Sequence, residues 1–246
     1  VVFTCCLLSS CSGGTGGVAP DDGTDPVGSL TSQMEVSVDR STENDFQSNL
    51  GYGIKLSSVA VTMSDVTVGT DTHEEHSPDR DGSDSSKSLF TRHEESTTES
   101  DLGAKLEGLW TVCPLSGKST LGLTQANPGT YEALSFSIVP NGSAPSVTVK
   151  GTASLDGITY PFEAAMAINE KVTVSGLAIQ FEYGHYLPVR IAFCLHHWLD
   201  GIDFKSLTSS GGLIVISETE NAAACSTMKA SVVLHIHVHS GYVSES

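Results

Sequence analysis

The sequence predicts an all-β fold: an antiparallel β-sandwich of the immunoglobulin or transthyretin-like kind, with about ten strands and one long acidic loop insertion. Three observations lead there. Segments in which apolar residues recur at every second position follow one another from residue 34 to the end of the chain. Between them stand "NPGTY", "PNGSAP", "LDGIT" and "SSGG", which supply the Pro, Asn, Asp and Gly that tight turns require. Charged residues make up only 17% of the 246, while Gly alone numbers 24, a bias that suits strands and turns better than long helices.

In chain order, residues 1–11 read as a signal remnant or an N-terminal strand, and residues 12–32 as a Gly/Pro/Asp-rich linker. The sandwich domain spans residues 33–246. Its alternating segments are "MEVSV" (34–38), "YGIKLSSVAVTMSDVTVG" (52–69), "YEALSFSIV" (131–139), "SVTVKGTA" (146–153), "ITYPFEAAMAI" (158–168), "KVTVSGLAIQF" (171–181), "VRIAFCL" (189–195), "GLIVIS" (212–217) and "SVVLHIHVH" (231–239). Helix signals are confined to "HHWLDGIDFKSL" (196–207) and "ETENAAACSTMK" (218–229), the second with acids first and a Lys last, as a helix dipole favours. Residues 71–101 break the pattern, with ten acids against three bases and few apolar side chains, and read as a solvated excursion between strands.

Twelve Lys and Arg against 29 Asp and Glu give a formal charge of −17. Such a surface repels nucleic acid and attracts cations, so nucleic acid is excluded as a partner. No run of ~18 or more apolar residues marks a transmembrane helix. Cys113, Cys194 and Cys225 could form one disulfide in an oxidising compartment, with the pairing open.

The chemistry of the chain concentrates in histidine. Read as one strand, "SVVLHIHVH" puts Ser231, Val233, His235, His237 and His239 on one face and Val232, Leu234, Ile236 and Val238 on the other, which is then the core side. Same-face neighbours lie ~6.6–6.8 Å apart, so two imidazoles can meet one ion at ~2.0 Å while three cannot easily do so. The expected site is therefore a His pair completed by His196 or His197, by His185, or by the loop histidines His73 and His76. Zinc or copper suits these donors. The plainer alternative is three solvated histidines on a polar strand edge. His93 lies beyond in "RHEE", and "DRDGSD" has the acidic, Gly-kinked look of a calcium loop without its full ligand pattern. No G-x-S-x-G, H-E-x-x-H, P-loop or G-x-G-x-x-G motif is present. Asp200 and Asp203 beside His196 and His197 make the one carboxylate pair that could serve as acid and base, and helix capping is the commoner use of such residues.

"VVFTCCLLSSC" followed by a Gly/Ser/Thr tether resembles the lipobox of bacterial lipoproteins. That resemblance implies cleavage before Cys11, an acyl anchor on its thiol holding the protein to a lipid bilayer, and, with Ser12 following, the outer membrane. The stretches "YGIKLSSVAVTMSDVTVG", "NPGTYEALSFSIVP", "GTASLDGITYPFE" and "WLDGIDF" resemble β-sandwich lipoproteins of bacterial envelopes across residues 33–238. The Pro-Gly-x-Tyr strand entry is more distantly similar to the periplasmic copper-binding partner proteins of the methanobactin system; no ligand of that family maps onto a position here.

The expectation is thus a non-catalytic, lipid-anchored protein of the periplasm or cell surface that captures or buffers zinc or copper through the His-x-His-x-His segment. The alternative is a structural subunit of an extracellular filament, self-associating by donor-strand exchange of its N-terminal strand. A metal-dependent hydrolase is a third reading.

Overall fold

The computed structural model describes residues 31–70 and 102–241. The fold is all-β, as the alternation predicts: among the described residues stand fifteen strands, one α-helix and two single-turn 3-10 helices. In chain order the strands are β1 (Ser32–Val38), β2 (Asp45–Gln47), β3 (Gly53–Gly69), β4 (Leu102–Val112), β5 (Ser119–Ala126), β6 (Gly129–Tyr131), β7 (Ala133–Ile138) and β8 (Val147–Leu155). They continue with β9 (Ile158–Met166), β10 (Glu170–Val174), β11 (Ile179–Phe181), β12 (Tyr186–Phe193), β13 (Ser209–Ser210), β14 (Leu213–Ile216) and β15 (Ile236–Ser240). Helix α1 is Ala222–Leu234, and the 3-10 turns are Leu195–His197 and Phe204–Ser206.

Thirteen strands form one sheet and β6–β11 a second, small one. The 17-residue β3 is the spine of the large sheet. Val61 pairs with both Val112 of β4 and Val147 of β8, and Met63 with both Trp110 of β4 and Ile138 of β7. One edge of β3 therefore carries β8 and then β7, the other β2 and then β4. Beyond β8 the sheet runs on through β9, β14 and β13; beyond β4 it runs through β5, β1, β12 and β15. The β4–β5 link is a single residue pair, Ala104 with Ala126, so the strands beyond it are free to turn over the rest. Met34, Val36, Val189 and Ile191 of that wing share one core with Val59, Val149 and Phe162 of the other. Strand β10 comes alongside β15 without pairing to it, so the sheet does not close into a barrel.

Local chemistry explains several elements. Asp156 and Gly157 both take positive φ, 52° and 78°, which makes "LDGIT" the two-residue hairpin between β8 and β9 that the sequence promised. Gly176, at φ 73°, splits the expected segment 171–181 into β10 and β11. Four strands of the large sheet were not signalled by alternation, the short β2 and β13 and the longer β4 and β5: β4 carries Gly103, Gly108, Lys105 and Glu107, and β5 carries Gly122, so neither of the longer two shows a clean apolar face. The sheet is also not purely antiparallel, since β1–β12 and β14–β9 are parallel pairs, each reached through a long crossover as parallel pairing demands.

The larger correction concerns the end of the chain. Residues 231–234 are the last turn of α1, not the start of a strand. Burial separates the two readings: a strand would bury Val232 and Leu234 together, whereas Val232 is 0% and Leu234 74% exposed. Ala224, Cys225, Met228 and Val232 form the buried stripe at helical spacing. Ala-rich sequence and this burial outweigh the β preference of two adjacent valines. The expected helix 218–229 is correspondingly displaced toward the C-terminus, and no acid sits in its first turn. Glu218 lies ahead of it, where its carboxylate pairs with Lys229 Nζ at 2.6 Å and accepts the Ala167 N–H at 2.9 Å.

Those bonds to Lys229 and to the Ala167 N–H pull the Glu218 pKa down to about 2, from an ordinary value of 4.5. A carboxylate with a depressed folded-state pKa contributes stability that is complete above its unfolded value and is lost as pH falls through the folded one. Urea denaturation from pH 7 downward should therefore show Glu218→Gln less stable than the wild type above pH 4.5, with the gap closing between 4.5 and about 2; a gap that is constant with pH contradicts the clamp.

Candidate functional site

Strand β12 and strand β15 are antiparallel neighbours, with Phe193 opposite Ile236 and Ala192 opposite His237. Beyond the last pair, Cys194 N–H donates to the His235 carbonyl at 3.1 Å, so this hydrogen bond continues the pairing one residue past the strand ends. From Cys194 the chain turns into Leu195–His197, which places His196 and His197 at the rim of the sheet, while His235 arrives there as the C-terminal cap of α1. Leu195 and Trp198 are buried and hold the turn on the core, Trp198 edge-on to Phe193 at 5.8 Å.

The three histidine rings adjoin one another in series. Those of His196 and His197 lie 3.9 Å apart and tilted at 45°, and those of His197 and His235 stack 4.4 Å apart at 26°. Each ring is tied at Nδ1: His196 to Glu43 Oε1 at 2.7 Å, His197 to Asp200 Oδ2 at 2.9 Å, and His235 to the Ser231 carbonyl at 2.9 Å. Carboxylates and carbonyls only accept, so each Nδ1 carries the hydrogen and in the neutral ring Nε2 holds the free lone pair. Glu43 also accepts the His196 backbone N–H at 3.3 Å. Asp200 in turn accepts the Asn49 N–H at 3.0 Å, and Asn49 Oδ1 accepts the Gly201 N–H at 2.9 Å. Burial raises the Asp200 pKa, but the bonds from His197 and the Asn49 N–H outweigh it and hold the carboxyl below its ordinary value.

Asp203 is used differently. Tyr52, almost wholly buried, donates its hydroxyl to Asp203 Oδ1 at 2.5 Å and accepts the Lys205 N–H at 3.0 Å. Asp200 and Asp203 thus fasten the 198–206 loop to the segment entering β3, which keeps the two histidines in place.

The structure places His196, His197 and His235 side by side, whereas the expected site was a pair of terminal-strand histidines whose completion stood open between His196 or His197, His185 and the loop histidines. His237 and His239 stand on the exposed face of β15 with their rings 6.5 Å apart and nearly parallel at 9°, while His235 turns to His197. His185 is exposed and lies 3.7 Å from Glu182. His73, His76, His93, the calcium-like loop, Cys11 and the N-terminal segment fall outside the described residues. Cys113, Cys194 and Cys225 are free thiols, exposed, half-buried and buried; no bridge joins them, each standing on a different element. Sequence reading missed Glu43, which lies 153 positions before its partner and carries no local signal. It also missed Asp200 as an imidazole anchor, although its i, i+3 spacing from His197 was visible.

Among the described residues no group of three or more His, Cys, Asp or Glu side chains is arranged to hold a metal ion. Two hollows lie elsewhere, ≈ 400 Å³ between Pro128–Thr130 and Gln180–Tyr183 and ≈ 380 Å³ between β10 and the α1–β15 junction, and neither is lined by a histidine. Among the described residues no helix is long and apolar enough to cross a membrane. Comparison with protein-family models, curated proteins and solved structures gives no match to this chain.

Tyr52→Phe removes the hydroxyl that joins Asp203 to the Lys205 N–H; both of those residues are exposed and can turn to water, so the change should cost about 0.5–1.5 kcal/mol. The urea midpoint should fall with the m-value unchanged; an unaltered midpoint shows that the latch carries no stability.

Proposed function

We propose that this protein is a non-catalytic transition-metal binder that captures or buffers zinc or copper through His196, His197 and His235. One observation carries the reading: three adjoining imidazoles are each anchored at Nδ1 and leave Nε2 free. Carboxylate and carbonyl partners behind ligating histidines fix the tautomer and raise ligand basicity, and Glu43, Asp200 and the Ser231 carbonyl stand where such partners belong. Two nitrogens bound to one tetrahedral ion at ~2.0–2.1 Å lie roughly 3.3 Å apart. The rings stand 3.9 and 4.4 Å apart, so an ion that draws the Nε2 atoms together requires the rings to reorient. A chain charge of −17 raises the local concentration of cations. His237 and His239 are a separate pair with one strand's donors only. The lipobox-like start supplies the setting in this proposal: an acyl chain on Cys11 tethers the domain to the envelope, where metal arrives from outside the cell.

The full chain should bind one zinc or copper ion per molecule, measured by elemental analysis and by titration against a chromophoric chelator. His197→Ala and His235→Ala should each abolish stoichiometric binding, whereas the double change of His237 and His239 to Ala should leave it. A protein that takes up no metal, or one indifferent to loss of His197 and His235, overturns the proposal. Asp200→Asn keeps every ligand but weakens the partner of His197, and should lower affinity about 10–100-fold, read from the same titration.

A further inference from the structure

We infer that the hollow against the small sheet is a carbohydrate-binding site, in which the ring of Tyr183 carries one face of a neutral sugar while Thr130, Gln180 and Glu182 bond its hydroxyls. It is separate from the site of His196, His197 and His235. The carrying observation is that these four residues line one open hollow of ≈ 400 Å³, within the roughly 300–1,000 Å³ of small-molecule sites. Strands β6 and β11 build its wall. Thr130 stands opposite Gln180 in their register, and the flanking residues Tyr131, Ile179 and Phe181 are buried. Alternation therefore turns Thr130 and Gln180 outward, and facing residues of paired strands have Cβ atoms about 4.5–5.5 Å apart. Beneath them the rings of Tyr131 and Phe181 pack at 5.8 Å, which holds the wall on the core.

A tight turn displays the tyrosine. Ser32 Oγ–H and the His185 N–H both donate to the Glu182 carbonyl, at 2.5 and 3.1 Å. Gly184 takes φ 72°, the positive value for which the third position of such a turn needs glycine. Tyr183, at the second position, is left 74% exposed, so an anchored backbone presents an uncovered ring. The lining then selects the ligand. No Lys or Arg borders the hollow, and Glu182 together with a chain charge of −17 turns away anions. One carboxylate is too few donors to hold a metal ion. Hydroxyl groups suit the set, because a carboxylate only accepts, an amide both donates and accepts, and a threonine hydroxyl does either. The C–H face of a pyranose is apolar and lies flat on an aromatic ring.

The experiment titrates the full chain with neutral oligosaccharides of glucose, mannose, galactose and N-acetylglucosamine, followed by calorimetry and saturation-transfer NMR. Tetramethylammonium serves as the cationic probe and inorganic phosphate as the anionic one. At least one saccharide should bind, and neither ion should. Tyr183→Ala and Gln180→Ala should each weaken that binding about tenfold or more, whereas Tyr183→Phe keeps the ring face and should retain it. Both positions are exposed, so thermal unfolding of the variants should match the unmodified chain. His197→Ala should leave saccharide binding unchanged, which separates this site from the metal reading. No binding of any of these saccharides at about 10 mM, or binding indifferent to Tyr183→Ala and Gln180→Ala, overturns the site. Binding of either ion in place of a saccharide overturns the sugar assignment.

Discussion

The fold depends on the double use of β3. A strand in the middle of a sheet has both edges hydrogen-bonded, but β3 is long enough, at 17 residues, to hold two different partners in succession along each edge. Its first half belongs with β2 and β8, its second with β4 and β7. Register shifts between Leu56 and Ser58 and between Ser64 and Val66 mark the bulges in these ladders, and bulges bend a strand and increase its twist. Asp65 takes φ 53° at the second bulge, a left-handed conformation that Asp tolerates better than most residues. Gly151 fits the first: a Cβ there would stand 2.5 Å from the Lys55 carbonyl oxygen, so only glycine lets β8 pass this close.

The candidate site follows from where that framework ends. Strand β12 delivers His196 and His197 at its exit; α1 delivers His235 at its C-terminus. The loop bonds of Asp200, Asn49, Asp203 and Tyr52 connect this exit to the segment leading into β3. Hydrogen bonds at Nδ1 fix the orientation of each of these rings. An apolar replacement of Glu43 or Asp200 would release a ring, and at Asp200 it would also remove the acceptor of the Asn49 N–H.

Much of this was legible along the chain because strand alternation and turn chemistry are local. The hairpin at Asp156–Gly157, the strands containing Leu134, Phe136 and Ile138, and those containing Val189 and Ile191 could be read from a few residues each. The strands β4 and β5 could not, because their glycines and charges conceal the faces that bury Ala104, Val112 and Ala126. The meeting of His196 or His197 with a terminal histidine was one of several completions the sequence left open, beside His185 and the loop histidines His73 and His76. The partner turned out to be His235 alone, with His237 and His239 left as a separate pair.

The sequence by itself determined an all-β chain, its principal turns, and a concentration of imidazoles at three points, because periodicity, φ-restricted turn residues and side-chain chemistry are properties of neighbouring residues. Tertiary structure decided the rest. "ASVVLHIHVH" satisfies a strand's alternation from end to end, and only the burial of Met228 and Val232 against the core makes its first part a helix and His235 a cap. Likewise, only the pairing of β12 with β15 brings the 195–197 turn to His235, and only the 39–47 segment crossing to the 195–197 turn gives His196 its carboxylate. Contacts between residues more than a hundred positions apart leave no local trace, since the chain must fold before they exist.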